Sequence, residues 1–171
     1  MGLMARRTGP RSTTRSSKTT RWLSAEEEAA WRAIALVMHK LGWALECQLE
    51  RDADLSYIEY HTLARLSEEL NHTLRMSELA ILTNQSLSRL SHLAKRLEGR
   101  GLIRRQPDPA DGRFTNALLT DTGYARLVAS APGHVDTVRS LVIDAFNAAE
   151  LRQLRQASER ILARIDAAAG A

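Results

Sequence analysis

The chain has 171 residues and a net charge of +4, with 44% apolar and 5% aromatic residues, enough for one buried core and an added oligomerisation element. No run approaches the ~18 apolar residues of a membrane span, the N-terminus lacks the apolar core of a secretory signal, and the single cysteine, Cys47, excludes an intrachain disulfide; the expectation is a cytoplasmic protein with no membrane partner. The charge is uneven: six of the 24 basic residues (Arg6, Arg7, Arg11, Arg15, Lys18 and Arg21) fall in residues 1–21 with no acidic one, leaving 18 basic against 20 acidic residues elsewhere.

Residues 1–22 are rich in Ser, Thr and Arg and nearly devoid of apolar residues, the composition of a disordered basic tail. Ser24 with Glu27 three residues on predicts a capping box. Apolar positions Trp31, Ile34, Leu36, Met38, Leu41, Leu45 and Leu49 then carry a long helix to about 52–55, and such a helix needs a partner along its side. Ser56 opens a second helix, with Tyr57, Ile58, Tyr60, Leu63, Ala64 and Leu66 apolar, that stops near Asn71 and His72. Met76 to Thr83 reads as a third helix and Ser86 to Arg100 as a fourth, ended by Gly101. Leu102-Ile103 and Ala117-Leu118-Leu119 read as short strands, and the intervening QPDPADGRFTN has the residues of a turn. From Thr120 or Asp121 the helical pattern resumes and is expected to kink or break at Pro132-Gly133. Further apolar stripes follow in Val135 to Phe146 and Ala149 to Ile165.

The order of short helix, turn, longer helix and hairpin is that of a winged helix-turn-helix, so the fold class is mainly α with a two-stranded β wing. On a helical wheel Leu87, Leu90, Ala94 and Leu97, with Leu93 beside them, fall on one side of the fourth helix. Ser88, Arg89, His92, Lys95 and Arg96 fall on the other. A helix entering the major groove of DNA needs this division: an apolar seam that holds it, and donors on the outer face. Ser86 is placed as its N-cap, next to free amides that suit a phosphate. Arg89 has the fork for guanine or a phosphate, His92 can read a base edge, and Lys95 and Arg96 suit phosphates. Ser86 to Arg105 holds six basic residues against one acidic residue, Glu98, so positive charge is focused on this unit. Arg113 sits at the hairpin tip, where a narrow minor groove would attract it; Asp111 can orient it, and Arg104 and Arg105 can flank the groove.

Enzymatic signatures are missing. There is no phosphate-cradling glycine loop, no nucleophile with a base at motif spacing, and the five histidines have no metal-ligand pattern. The expectation is a non-enzyme without cofactor or metal, whose partner is double-stranded DNA. The alternative is a winged-helix adaptor that binds protein without reading DNA, against which the basic outer face of the fourth helix argues.

The segment SLSRLSHLAKRLEGRGLIRRQPDPADGRFTNALLTDTG resembles the winged helix-turn-helix of the MarR (multiple antibiotic resistance regulator) family, most specifically in its DPADGR wing and LTDTG exit. The likeness extends upstream through LSYIEYHTLARLSEE to SAEEEAAWRAI and covers about residues 24–168. It implies a homodimeric transcriptional regulator, usually a repressor, that binds palindromic DNA. It also implies a division of the chain: a basic tail at 1–22, a first dimerisation helix at 23–56, the DNA-binding domain at 57–123 and dimerisation helices at 124–168. By resemblance Ser86, Ser88, Arg89 and His92 carry base or nearby phosphate contacts, and Asp111 and Arg113 the wing contact. Many members release DNA when a small, often phenolic, effector enters a pocket between dimer core and reading domain; the candidates here are His39, Trp43, Tyr57, Tyr60 and His61. Some relatives sense oxidants through a cysteine near the start of the first helix. Cys47 lies near its far end between Glu46 and Glu50, poor surroundings for a reactive sulfur anion, and reads as structural.

Overall fold

The computed structural model describes residues 20–169, so nearly all of the basic tail lies outside the described residues. The described residues divide into two units, 20–35 and 36–169. In the first, helix α1 (Ala25–Ala53) begins on the expected capping box. The Glu27 amide donates to Ser24 Oγ at 3.2 Å, and the Ser24 amide donates to Glu27 Oε2 at 2.8 Å. Trp22 and Trp31 of this unit are exposed.

In the second unit α1 continues, burying Leu45, Gln48, Leu49 and Ala53 near its end. Helix α2 (Tyr57–Ser67) starts on a second capping box, Ser56 with Glu59. It ends at Ser67, earlier than the pattern suggests. Strand β1 (Thr73–Arg75), which the sequence does not announce, follows after a turn. Helices α3 (Met76–Leu82) and α4 (Leu87–Gly99) form the helix-turn-helix, and β2 (Ile103–Pro107) and β3 (Thr115–Leu119) form the wing. The three strands make one antiparallel sheet in the order β1-β3-β2. Leu74 lies opposite Ala117 on one side of β3, and Arg105 lies opposite the same alanine on the other.

The turn between α3 and α4 is built by its end residues. Asn84 takes the left-handed conformation (φ 51°). Its amide donates to Ile81 O at 3.0 Å and the Gln85 amide donates to Ala80 O at 2.8 Å, the pair of bonds that closes a Schellman end. Gly101 (φ 70°) repeats the device after α4: its amide reaches Glu98 O at 2.9 Å and that of Leu102 reaches Leu97 O at 2.9 Å.

Leu63, Leu66, Leu79, Leu90, Leu97 and Ile103 are fully buried and join α2, α3, α4 and the sheet in one core. Each such side chain contributes about 1.5–3 kcal/mol through burial. Helix α5 (Asp121–Leu141) leaves the wing through a close contact. Thr120 caps it, accepting from the Gly123 amide at 3.0 Å and donating to Gly101 O at 2.7 Å. A Cβ on Gly123 would stand 2.0 Å from the Leu102 carbonyl oxygen, so only glycine fits. This is the physical content of the LTDTG exit.

Of the kink or break expected at Pro132-Gly133, the break does not occur; α5 runs through Pro132. Pro132 is exposed, and Val128, whose carbonyl loses its amide donor, is exposed as well, so water can replace the missing bond. After a single 3-10 turn at Ile143–Ala145, helix α6 (Ala148–Ala169) follows and buries no residue at all.

Candidate nucleic-acid interface

Helix α4 presents its two faces as the wheel predicts, with one exception. Leu90, Leu93, Ala94 and Leu97 are buried, but Leu87 is 53% exposed. It lines an open cleft of about 250 Å³ between α4 and the wing, shared with Arg75, Ser77, Ser91, Arg105, Arg113 and Phe114. The cleft shows that the start of α4 and the wing tip border one surface.

Ser86 is the N-cap, accepting from the Arg89 amide at 3.3 Å. Ser88, Arg89, His92, Lys95 and Arg96 are all exposed. Among the described residues Arg89 and Lys95 have no ion-pair partner, and neither has the exposed Arg104 of β2. Their charges are available to an incoming anion.

The other cations are engaged. Arg96 Nε lies 3.6 Å from Glu59, a buried carboxylate that also takes the Ser56 amide at 3.0 Å and Arg100 at 3.3 Å. Arg100 also reaches Asp54, just past α1, at 3.0 Å. Arg105 closes on Glu98 with its guanidinium at 2.7 and 3.0 Å and with its backbone amide at 2.9 Å. The Arg105 amide, and then its guanidinium, hold the Glu98 carboxyl below the usual range. Arg104 and Arg105 are neighbours in a strand and so point to opposite faces; a phosphate reaching Arg105 must share it with Glu98.

At the wing tip Arg113 forks onto Asp111, with Nε at 2.9 Å from Oδ1 and Nη2 at 2.6 Å from Oδ2. The Arg113 guanidinium, then its amide, hold the Asp111 carboxyl below its ordinary range. The arginine's outer edge remains open, since its side chain is 85% exposed. Sequence reasoning missed two neighbours. Asp108 Oδ1 accepts the amides of Ala110 (2.8 Å) and Asp111 (3.2 Å), and its Oδ2 takes Arg75 Nε at 3.0 Å. The Arg75 guanidinium also stands 4.7 Å from the centre of the Phe114 ring. Only the DPADG turn signal hinted at Asp108, and no local signal points to Arg75.

The effector candidates separate into two groups. Tyr57, Tyr60 and His61 come together, joined by an unforeseen His134 from α5: His61 Nε2 is 2.8 Å from the Tyr57 hydroxyl, and the His134 ring is 4.5 Å from that of Tyr60. His134 Nδ1 is 3.3 Å from Gln48 Oε1 of α1. Burial lowers the pKa of His61 and of His134, and the nearby His61 adds to the effect on His134. His39 and Trp43 lie on α1, exposed, and none of the ring contacts among the described residues joins them to this cluster. Cys47 is half-buried, and its neighbour Glu46 accepts the Tyr57 amide at 2.6 Å.

The family model of MarR matches residues 55–115, from the start of α2 to the wing. The chain is similar to Sco3205, a MarR family transcriptional regulator from Streptomyces coelicolor solved in complex with DNA. The two are 41% identical with a TM-score of 0.81, over 85% of this chain and 91% of that one. AbsC, a MarR family transcriptional regulator from the same organism, is 37% identical with a TM-score of 0.83, over 86% of this chain and 99% of its own. The transcriptional repressor MprA of Escherichia coli (strain K12) is 29% identical over 107 residues, 63% of this chain but only 60% of that repressor.

Proposed function

The chain belongs to the MarR family of transcriptional regulators, not enzymes, and from that premise we propose that it is a repressor that binds palindromic operators as a homodimer in the cytoplasm. The observation that carries the reading is the pair of α4 cations without an ion-pair partner among the described residues, Arg89 and Lys95, exposed beside a wing arginine already oriented by Asp111. In this reading Ser86, Ser88, Arg89 and His92 meet bases or adjacent phosphates in the major groove, and Lys95, Arg96, Arg104 and Arg105 meet the backbone. Asp111 holds Arg113 for the minor groove.

The dimer rests on surfaces that one chain leaves open. Helix α6 exposes Leu154, Ile161, Leu162 and Ile165, and within the second unit α1 exposes Leu36, Val37, Met38 and Trp43. A two-fold pair places two reading helices about one DNA turn apart, which requires a palindromic site. Release by a small aromatic or phenolic effector is assigned to the Tyr57, Tyr60, His61 cluster, which adjoins α1, α2 and α5 through Gln48 and His134. His39 and Trp43 make none of the ring contacts of this cluster.

The test is selection of bound duplexes from a random pool, followed by a salt titration on the selected site and on random duplex. The expected outcome is a palindromic motif and steep weakening with salt, as released counterions require. No binding at low salt would sink the reading.

A further inference from the structure

The wing tip stands beyond its ladder. The last pair of β1 with β3 is Arg75 with Asn116, and the last of β2 with β3 is Pro107 with Thr115. Residues 108–114 project past both. Inside the tip the Asp108 side chain caps two amides, and the Asp108 backbone amide donates the hairpin's closing bond to Phe114 O at 2.9 Å. Among the described residues, one ion pair joins this tip to anything outside the hairpin: Arg75 to Asp108, across 33 positions of sequence. The Asp108 side chain is only 10% exposed, and Arg75 is 39% exposed beneath the Phe114 ring. Arg75 also stands at a junction, being the last residue of β1 and the residue before α3, where its amide donates to Glu78 at 3.3 Å.

We propose that Arg75, through Asp108 and Phe114, is a positioning residue that fixes the wing tip to the start of the helix-turn-helix and so sets where Arg113 meets DNA. The inference rests on the DNA-binding reading above and assigns a role to residues outside the reading face. The path is short: Arg75 holds the Asp108 carboxylate, the carboxylate holds the amides of Ala110 and Asp111, and Asp111 holds the Arg113 guanidinium. Without the first link the tip keeps its internal turn but loses its orientation relative to α3 and α4. A planar guanidinium suits the task, since it can donate to a carboxylate and stack on an aromatic ring at once. The competing role for a half-exposed arginine at this edge is direct contact with a phosphate, and the two roles predict opposite signs for one substitution.

The experiment measures binding of the full chain to its selected duplex, with A/T-rich and with G/C-rich flanks, for the wild type, Arg75→Ala, Asp108→Asn, Arg113→Ala and Arg75→Ala with Arg113→Ala. The positioning role predicts that Arg75→Ala and Asp108→Asn each weaken binding to A/T-rich flanks about three- to tenfold. It also predicts that Arg75→Ala adds nothing once Arg113 is gone. A phosphate contact instead predicts additive losses, and tighter binding by Asp108→Asn because it frees Arg75; either result overturns the proposal. If Arg75→Ala fails to fold by thermal melting, Asp108→Asn with and without Arg113→Ala decides alone, because asparagine retains the acceptor for both amides. Equal binding of wild type and Arg113→Ala on both flanks overturns the wing contact itself and this inference with it. Loss of all binding by the wild type overturns the DNA reading beneath both.

Discussion

Helices α4 and α6 are both amphipathic, but they meet opposite fates in one chain. Helix α4 hides Leu90, Leu93, Ala94 and Leu97 completely, whereas α6 hides nothing, leaving Leu154, Ile161, Leu162 and Ile165 in water. The first helix has already found its partner within the fold, so its polar face is free for an external one. The second exposes its apolar residues, which the proposed homodimer would cover. One helix therefore reads as a finished tool and the other as half of a joint.

Charging the joint gives the largest expected effect. Leu154→Asp with Ile161→Asp should yield monomers by sedimentation and lower operator affinity by about 10²–10⁴-fold, the advantage of linking two sites, while the winged unit stays folded. A variant that remains dimeric would remove α6 from the joint. Leu97→Ala should do the converse, costing about 2–5 kcal/mol of stability in denaturant melts because the site cannot refill. A loss below ~1 kcal/mol would show that the seam of α4 is less complete than its burial indicates. Arg89→Ala should leave both fold and assembly intact and weaken specific binding by about 1–3 kcal/mol if it reads guanine. Loss of discrimination at one base pair is the mark of that role; a uniform loss across sequences makes Arg89 a phosphate contact.

The smallest effect concerns the His61 and His134 cluster that joins α2 to α5. Burial lowers both pKa values in the folded chain, so the unfolded chain takes up protons first. Their contribution is thus intact above the ordinary value of about 6.5 and is lost as pH falls below it toward the lowered folded values. Melting temperature should drop between pH 7 and pH 5.5, and less so in His61→Gln with His134→Gln. An unchanged drop in that double variant would place the acid sensitivity elsewhere.

What the sequence announced was mostly local. Ser24, Ser86 and Gly101 act on backbone groups within a few residues of themselves, as does Thr120 as a cap, so these roles can be read from spacing. Strand β1 escaped because Thr73–Arg75 is too short for a period and its partner, β3, begins at Thr115. The break expected at Pro132 failed because propensity is a weak prior when the lost bond faces water. The reading face of α4 was legible as a wheel, but the state of its charges was not. Only folding brings Glu59 to Arg96 and Asp108 to Arg75. Composition counts cations; the structure shows which of them are already spoken for.

The contact between Gly123 and the Leu102 carbonyl has a mechanical meaning. It leaves no slack between the first turn of α5 and the root of the wing. A five-residue strand such as β2 spans about 17 Å, so a wing that turned with α5 about that glycine would act as a lever. A tilt of α5 by roughly 5° would sweep the tip through about 1.5 Å, half the length of a hydrogen bond. His134, further along the same helix and about 16 Å from Gly123 by helical rise, would move through a similar arc.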